Sequence, residues 1–132
     1  MSISAAHSAA FFSEVVASAA VWGIRDNGGF PVPVSADGAR TMPFWSTRNR
    51  AEQVIQTVPA YAGFQPERVN LAAFVDRWLP GLERDGHLVG INWSGERATG
   101  YDMLPREVIE RLKRAPRAIK PSFWRRNADP TP

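Results

Sequence analysis

Cysteine is absent from the 132-residue chain, and no lysine occurs before Lys113. The first absence excludes disulfides, thiol nucleophiles, thiolate zinc sites and cysteine-ligated iron–sulfur clusters. Histidine occurs only at His7 and His87, too few for a histidine-rich metal site. No stretch approaches the roughly 20 consecutive apolar residues that a membrane-spanning helix requires. What remains is an ordinary apolar fraction, 44%, in a chain long enough to bury a core without covalent staples. The expectation is one cytoplasmic domain with neither metal nor cofactor.

Positive charge is scarce in the body and crowded at the end. Residues 1–110 hold nine Arg against twelve Asp or Glu. Residues 111–132 hold Arg111, Lys113, Arg114, Arg117, Lys120, Arg125 and Arg126 against Asp129 alone. The net charge of +3 is therefore a property of the tail, and the body is mildly acidic. A basic run of this kind suits nucleic acid, another polyanion or an acidic protein; it also serves simply as a solvated segment that keeps a chain soluble.

Near the start, Ser8 to Ala20 is rich in Ala, Phe and Val, and Ala17-Ser18-Ala19 has the small residues of a signal-peptide cleavage site. A secretory signal also needs a basic leading region and an uninterrupted apolar stretch. The first ten residues carry no Lys or Arg, and Glu14 interrupts the apolar stretch. An amphipathic helix over about 4–20 is the better reading, with Phe11, Val15 and Ala19 in one row and Phe12, Val16 and Ala20 in the next.

Strands follow at Val21–Ile24, Phe30–Val34 and Thr41–Trp45, separated by the turn signals Asp26-Asn27-Gly28-Gly29 and Ser35-Ala36-Asp37-Gly38. Pro31 and Pro33 make the second strand short or place it at an edge. Ser46 caps a helix over about 47–58. Pro59 to Pro66 is a loop, and Arg68-Val69 adds at most a short strand. Asn70 caps a helix over about 71–84 that breaks or kinks at Pro80. A hairpin over about 87–102 and a helix over about 105–115, opened by Pro105, complete the pattern. Short turns between successive strands favour antiparallel pairing. The order predicts an α+β domain over residues 1–112, one mainly antiparallel sheet with helices packed on it, and a basic Pro/Arg-containing tail over 113–132 with little regular structure.

Several of these segments carry a resemblance. Val21-Trp22-Gly23-Ile24 followed by Asp26, then Pro43-Phe44-Trp45, and the run Asn70-Leu71-Ala72-Ala73-Phe74-Val75-Asp76-Arg77-Trp78-Leu79-Pro80-Gly81-Leu82-Glu83-Arg84-Asp85-Gly86 resemble the bacterial family catalogued as domain of unknown function 2750. The resemblance covers about residues 8–112 and implies a small cytoplasmic bacterial α+β domain. It implies no reaction, ligand or catalytic residue.

Chemistry-bearing residues are few. The one credible base, His87, follows Asp85-Gly86 and reads as part of a helix-to-strand turn. His7 reads as a surface residue. Glu83 and Asp85, at i and i+2, point apart, and Glu107 and Glu110 lie among Arg106, Arg111 and Arg114 as ordinary surface ion pairs. Gly28-Gly29 precedes a strand rather than a helix N-terminus, so no phosphate loop is present. No catalytic residues are assigned. Five tryptophans, Trp22, Trp45, Trp78, Trp93 and Trp124, are many for this length; core packing accounts for most of them.

The reading is therefore a non-enzymatic domain that binds another protein, with a toxin-neutralising, immunity-type role as one version. Trp22 and Trp45 are the body's candidate contacts. The alternative is nucleic-acid or polyanion binding through Arg114, Arg117, Lys120, Arg125 and Arg126. No membrane partner is expected.

Overall fold

A computed structural model describes residues 3–34, 38–95 and 99–114. Helix α1, Ile3–Ser18, buries Ser8, Phe11, Phe12, Val15 and Val16 along one side. It ends where Ala19 adopts a left-handed conformation, φ 57°. Strand β1, Ala20–Arg25, follows at once and is buried on both faces except at the half-buried Trp22 and the exposed Arg25. The Asp26–Gly29 turn closes with Gly28 N–H donating to Asp26 Oδ1 at 2.8 Å.

Phe30 to Val34, expected as a strand, forms none. Pro31 and Pro33 have no N–H to offer a ladder. The segment is held by a lone bridge from Val34 to Arg40, by Thr41 N–H donating to Pro33 O at 3.0 Å, and by Arg40 Nη1 donating to Val32 O at 3.2 Å. Phe30 folds back over β1. A Cβ on Gly23 would lie 2.7 Å from the Phe30 ring, so the glycine makes room for that crossing. Phe30 in turn meets Trp78 edge-on, with centroids 4.8 Å apart.

Strand β2, Thr41–Phe44, leads into helix α2, Arg48–Thr57. The cap is Thr47, whose side chain accepts from Arg50 N–H at 3.1 Å; Ser46, the expected cap, turns inward instead. After a short 3-10 turn at Pro59–Tyr61 comes strand β3, Gln65–Asn70. Sequence patterning misses most of β3 because only Val69 is buried. An edge strand paired along its backbone needs little apolar content.

Helix α3 runs over 71–85 and contains a π turn, Phe74–Trp78. Pro80 lacks an N–H and would press on the carbonyl one turn back; the widened turn just before it relieves that conflict without ending the helix. Asn70 stands at the N-cap position, but its side chain accepts from Arg68 rather than capping. Gly86, at φ 73°, closes α3. Strands β4, Leu88–Ser94, and β5, Thr99–Met103, form the hairpin. Helix α4, Pro105–Arg114, follows, with Glu107 Oε1 accepting from Leu104 N–H at 3.0 Å.

β1 pairs with β3, and β2, β4 and β5 form a second ladder in that order. A two-way bridge between Trp22 and Trp45, both bonds 2.7 Å, stitches the ladders together. Pairing is antiparallel except β2 with β4, which is parallel. Two helices lie between β2 and β4 in the chain, so no hairpin turn forces them antiparallel. The architecture is α+β. Val21, Phe44, Val89 and Ile91 point into a core with α1, α3 and α4; Ile24, Trp45 and Trp93 point into another with α2.

Candidate functional site

Strict alternation along β4 would place Trp93 in the same core as Val89 and Ile91. A register shift between Ile91 and Ser94 prevents this, with Asn92 at φ 47°. One bulged residue moves every later side chain to the other face, so Trp93 reaches the α2 side. There its indole covers the two strands: a Cβ on Gly90 would lie 2.5 Å from it, and one on Gly100 2.9 Å. Trp93 Nε1 donates to Asp102 Oδ1 at 2.9 Å, and Trp93 O accepts from Trp45 Nε1 at 2.8 Å.

The same bulge places the buried Asn92 amide between two helices. Its Nδ2 donates to His7 O and to Ser46 Oγ, each at 3.1 Å, and its Oδ1 accepts from Ser46 N–H at 2.9 Å. The Ser46 hydroxyl donates to Glu14 Oε1. Arg50 grips that carboxylate with both edges of its fork, Nε to Oε1 at 3.0 Å and Nη2 to Oε2 at 3.2 Å. Burial pushes the Glu14 carboxyl up, but the bonds from Arg50 and Ser46 and the positive charge of Arg50 and His7 outweigh it, leaving it below its ordinary value.

A cleft of about 330 Å³ opens beside this network. His7 comes from α1; Arg50, Gln53, Val54 and Thr57 come from α2; Asn92, Trp93, Ser94 and Gly95 come from the end of β4. At the mouth, Ser94 Oγ lies 3.4 Å from His7 Nδ1. Sequence reading missed this constellation. Its one visible signal was Glu14, an acid inside an otherwise apolar stretch.

A second feature lies at the far edge of the sheet. Among the described residues, β5 has no strand on its outer side. Tyr101 is 45% exposed and Leu104 37%. A groove of about 630 Å³ separates β5 from α4 and is lined by Tyr101, Met103, Arg106, Ile109 and Arg111 among others. The opposite edge, β3, differs: it carries Pro66, Glu67 and Arg68. Proline and charge are the usual guards of an open edge.

The residues singled out from sequence are scattered. Trp22 is half-buried with the Arg48 guanidinium over its ring at 5.8 Å. Trp45 is fully buried, so its indole is a core element with no surface for a partner. Arg114 ends α4, exposed and paired with Glu110 at 3.3 Å. Arg117, Lys120, Arg125 and Arg126 lie outside the described residues. Of the 113–132 tail expected to have little regular structure, Lys113 and Arg114 are the last residues of α4, and the rest lies outside the described residues. His87 N–H donates to Leu82 O at 2.9 Å, as befits the turn that closes α3. Among the described residues, no three His, Asp or Glu side chains are grouped to hold a metal ion, and no helix is long and apolar enough to cross a membrane.

A family model described as "Protein of unknown function (DUF2750)" matches residues 8–112. No curated protein matches the sequence. Among solved structures, "Anabaena Tic22 (protein transport)" is 16% identical with a TM-score of 0.37, over 63% of this chain and 45% of that one. The chain thus spans under half of that protein, and a likeness so distant bears on neither role nor partner.

Proposed function

Because the chain belongs to this family of unknown function, DUF2750, we propose its role from geometry: a non-enzymatic, cytoplasmic protein-binding domain that accepts an extended segment of another protein along the outer edge of β5. The observation that carries this reading is the contrast between the two edges. β3 is guarded by Pro66, Glu67 and Arg68, whereas among the described residues β5 has no strand on its outer side and Tyr101 is exposed beside a groove. Main-chain bonds to an unpaired edge supply affinity, and side chains flanking it supply selectivity. Tyr101 lies on the same face as Met103, toward α1 and α4, where it can cover an added strand.

The non-enzymatic part of the proposal is supported by how the polar groups are used. Ser46 is buried and its hydroxyl is bonded to Glu14, which is itself held by Arg50. The Ser46 hydroxyl is thus engaged by a carboxylate that is already ion-paired, and is not a nucleophile beside a free base. A toxin-neutralising role is the finer version of the proposal, since a mildly acidic body complements a basic partner such as a nuclease.

The test is native capture with the wild-type chain, Tyr101→Lys and Leu104→Lys, washed at low and high salt, with the bound protein and nucleic acid identified. The reading expects a discrete protein retained at high salt by the wild type and lost from both variants at unchanged melting temperature. Retention indifferent to both substitutions would sink it. Nucleic acid released by salt, with a log–log slope of up to roughly −6, would instead assign function to the basic tail.

A further inference from the structure

We infer that the cleft between α1, α2 and the end of β4 is a binding site for a small oxyanion, a carboxylate or phosphate group. This goes beyond the edge-binding reading and involves none of its residues.

Four observations meet at this cleft. The first is its composition. Arg50, Gln53, Thr57, Ser94 and His7 surround an apolar floor of Val54 and Trp93, and no carboxylate is among the described lining residues. Its size, about 330 Å³, admits a small ligand, and the mix of an apolar floor with a few converging polar groups is what such sites show.

The second is the state of Arg50. A guanidinium has five N–H donors in a rigid fork. Glu14 engages Nε and one Nη2 proton. The two Nη1 protons and the other Nη2 proton have no acceptor among the described residues, although the side chain is only 31% exposed. Glu14 therefore positions the fork and leaves a second, planar set of donors for a ligand. That geometry matches two oxygens of one carboxylate or phosphate.

The third is the mouth. Ser94 and His7, 3.4 Å apart, add a hydroxyl and an imidazole, both able to donate. Gln53 adds an exposed amide across the opening. The fourth is the backbone. The bulge at Asn92 is what brings Trp93, Ser94 and Gly95 to the cleft, and it holds a non-glycine residue at positive φ. Bulges and unusual backbone conformations of this kind gather at functional sites.

The experiment is an amide-shift titration of the ¹⁵N-labelled full chain with sodium acetate and, separately, sodium phosphate, at ionic strength held constant with chloride. Saturable shifts at Gln53, Ser94, Gly95 and their neighbours are expected with at least one of the two anions, at millimolar affinity. The anion that saturates identifies the carboxylate or the phosphate as the fitting group. Arg50→Lys keeps a cation beside Glu14 but loses the fork, and should weaken binding about tenfold, the loss of roughly one charge-assisted bond. Ser94→Ala at the exposed mouth should weaken it several-fold without changing the melting temperature. Tyr101→Lys should bind as the wild type does, which separates this site from the β5 edge. Shifts that stay linear for both anions, spread over the surface, or persist unchanged in both Arg50→Lys and Ser94→Ala would overturn the inference.

Discussion

Asn92 sits buried at the point where β4 changes face, in a conformation that costs most residues about 1 kcal/mol or more. It stands there because its amide bonds to His7 O, Ser46 N–H and Ser46 Oγ. Replacing it with Ala loses those bonds and keeps the backbone strain, for a cost of about 2–4 kcal/mol. Replacing it with Gly loses the same bonds but removes the strain, so Asn92→Gly should be about 1 kcal/mol less harmful than Asn92→Ala by urea unfolding. Equal losses for the two would show that the left-handed backbone is not maintained at a cost. Thr41 presents the reverse case. Its hydroxyl is buried and has no hydrogen-bond partner among the described residues, a desolvation cost with no return. Thr41→Val keeps the shape and should stabilise the chain by about 1 kcal/mol, seen as a rise in Tm of a few degrees.

At the scale of elements, the crossing of 30–34 over β1 explains why β1 carries a glycine among apolar residues. Gly23→Ala would push a methyl to 2.7 Å from a Phe30 ring already packed on Trp78. The expected cost is about 1–3 kcal/mol by thermal melts, with altered near-ultraviolet circular dichroism from the displaced rings. An unchanged melt would mean that Phe30 is free to move off the strand. α3 shows how a helix absorbs a proline that sequence rules read as a break. Its stripe of Leu71, Phe74, Leu79 and Leu82 stays buried because the extra residue in the π turn resets the spacing ahead of Pro80.

The whole molecule is tied at one end of the sheet by the link from α1 to α2 through Glu14 and Arg50. Because the Glu14 carboxyl titrates below its ordinary value of 4.5 when folded, its contribution is complete above the unfolded value. That contribution is lost as pH falls through the folded one. Both partners are about a third exposed, so solvent screens the pair and the effect is at most about 1 kcal/mol. In Glu14→Gln the acid side of the stability–pH curve should therefore be flatter than in the wild type, with the two curves converging as the wild-type carboxyl is protonated. Parallel curves throughout would show that the pair contributes nothing to folding.

Periodicity and turn chemistry alone placed α1, β1, α2, α3, the hairpin and α4, because each repeats its burial every 3.6 or 2 residues or is bounded by Gly, Pro or Asn. The tail's charge and the resemblance over about 8–112 were equally local. Four features depended on the packed chain. The strand at Gln65–Asn70 exists because β1 offers it a partner, not because its own residues alternate. The parallel pairing of β2 with β4 follows from which strands meet after two helices intervene. The inward turn of Ser46 follows from Asn92 and Glu14 waiting for it. The cleft gathers residues from positions 7, 50 and 92–95, whose joining depends on one bulge in β4. Local pattern is written in neighbouring residues and can be read there; long-range hydrogen bonds join residues far apart in the chain, and only the tertiary fold selects them.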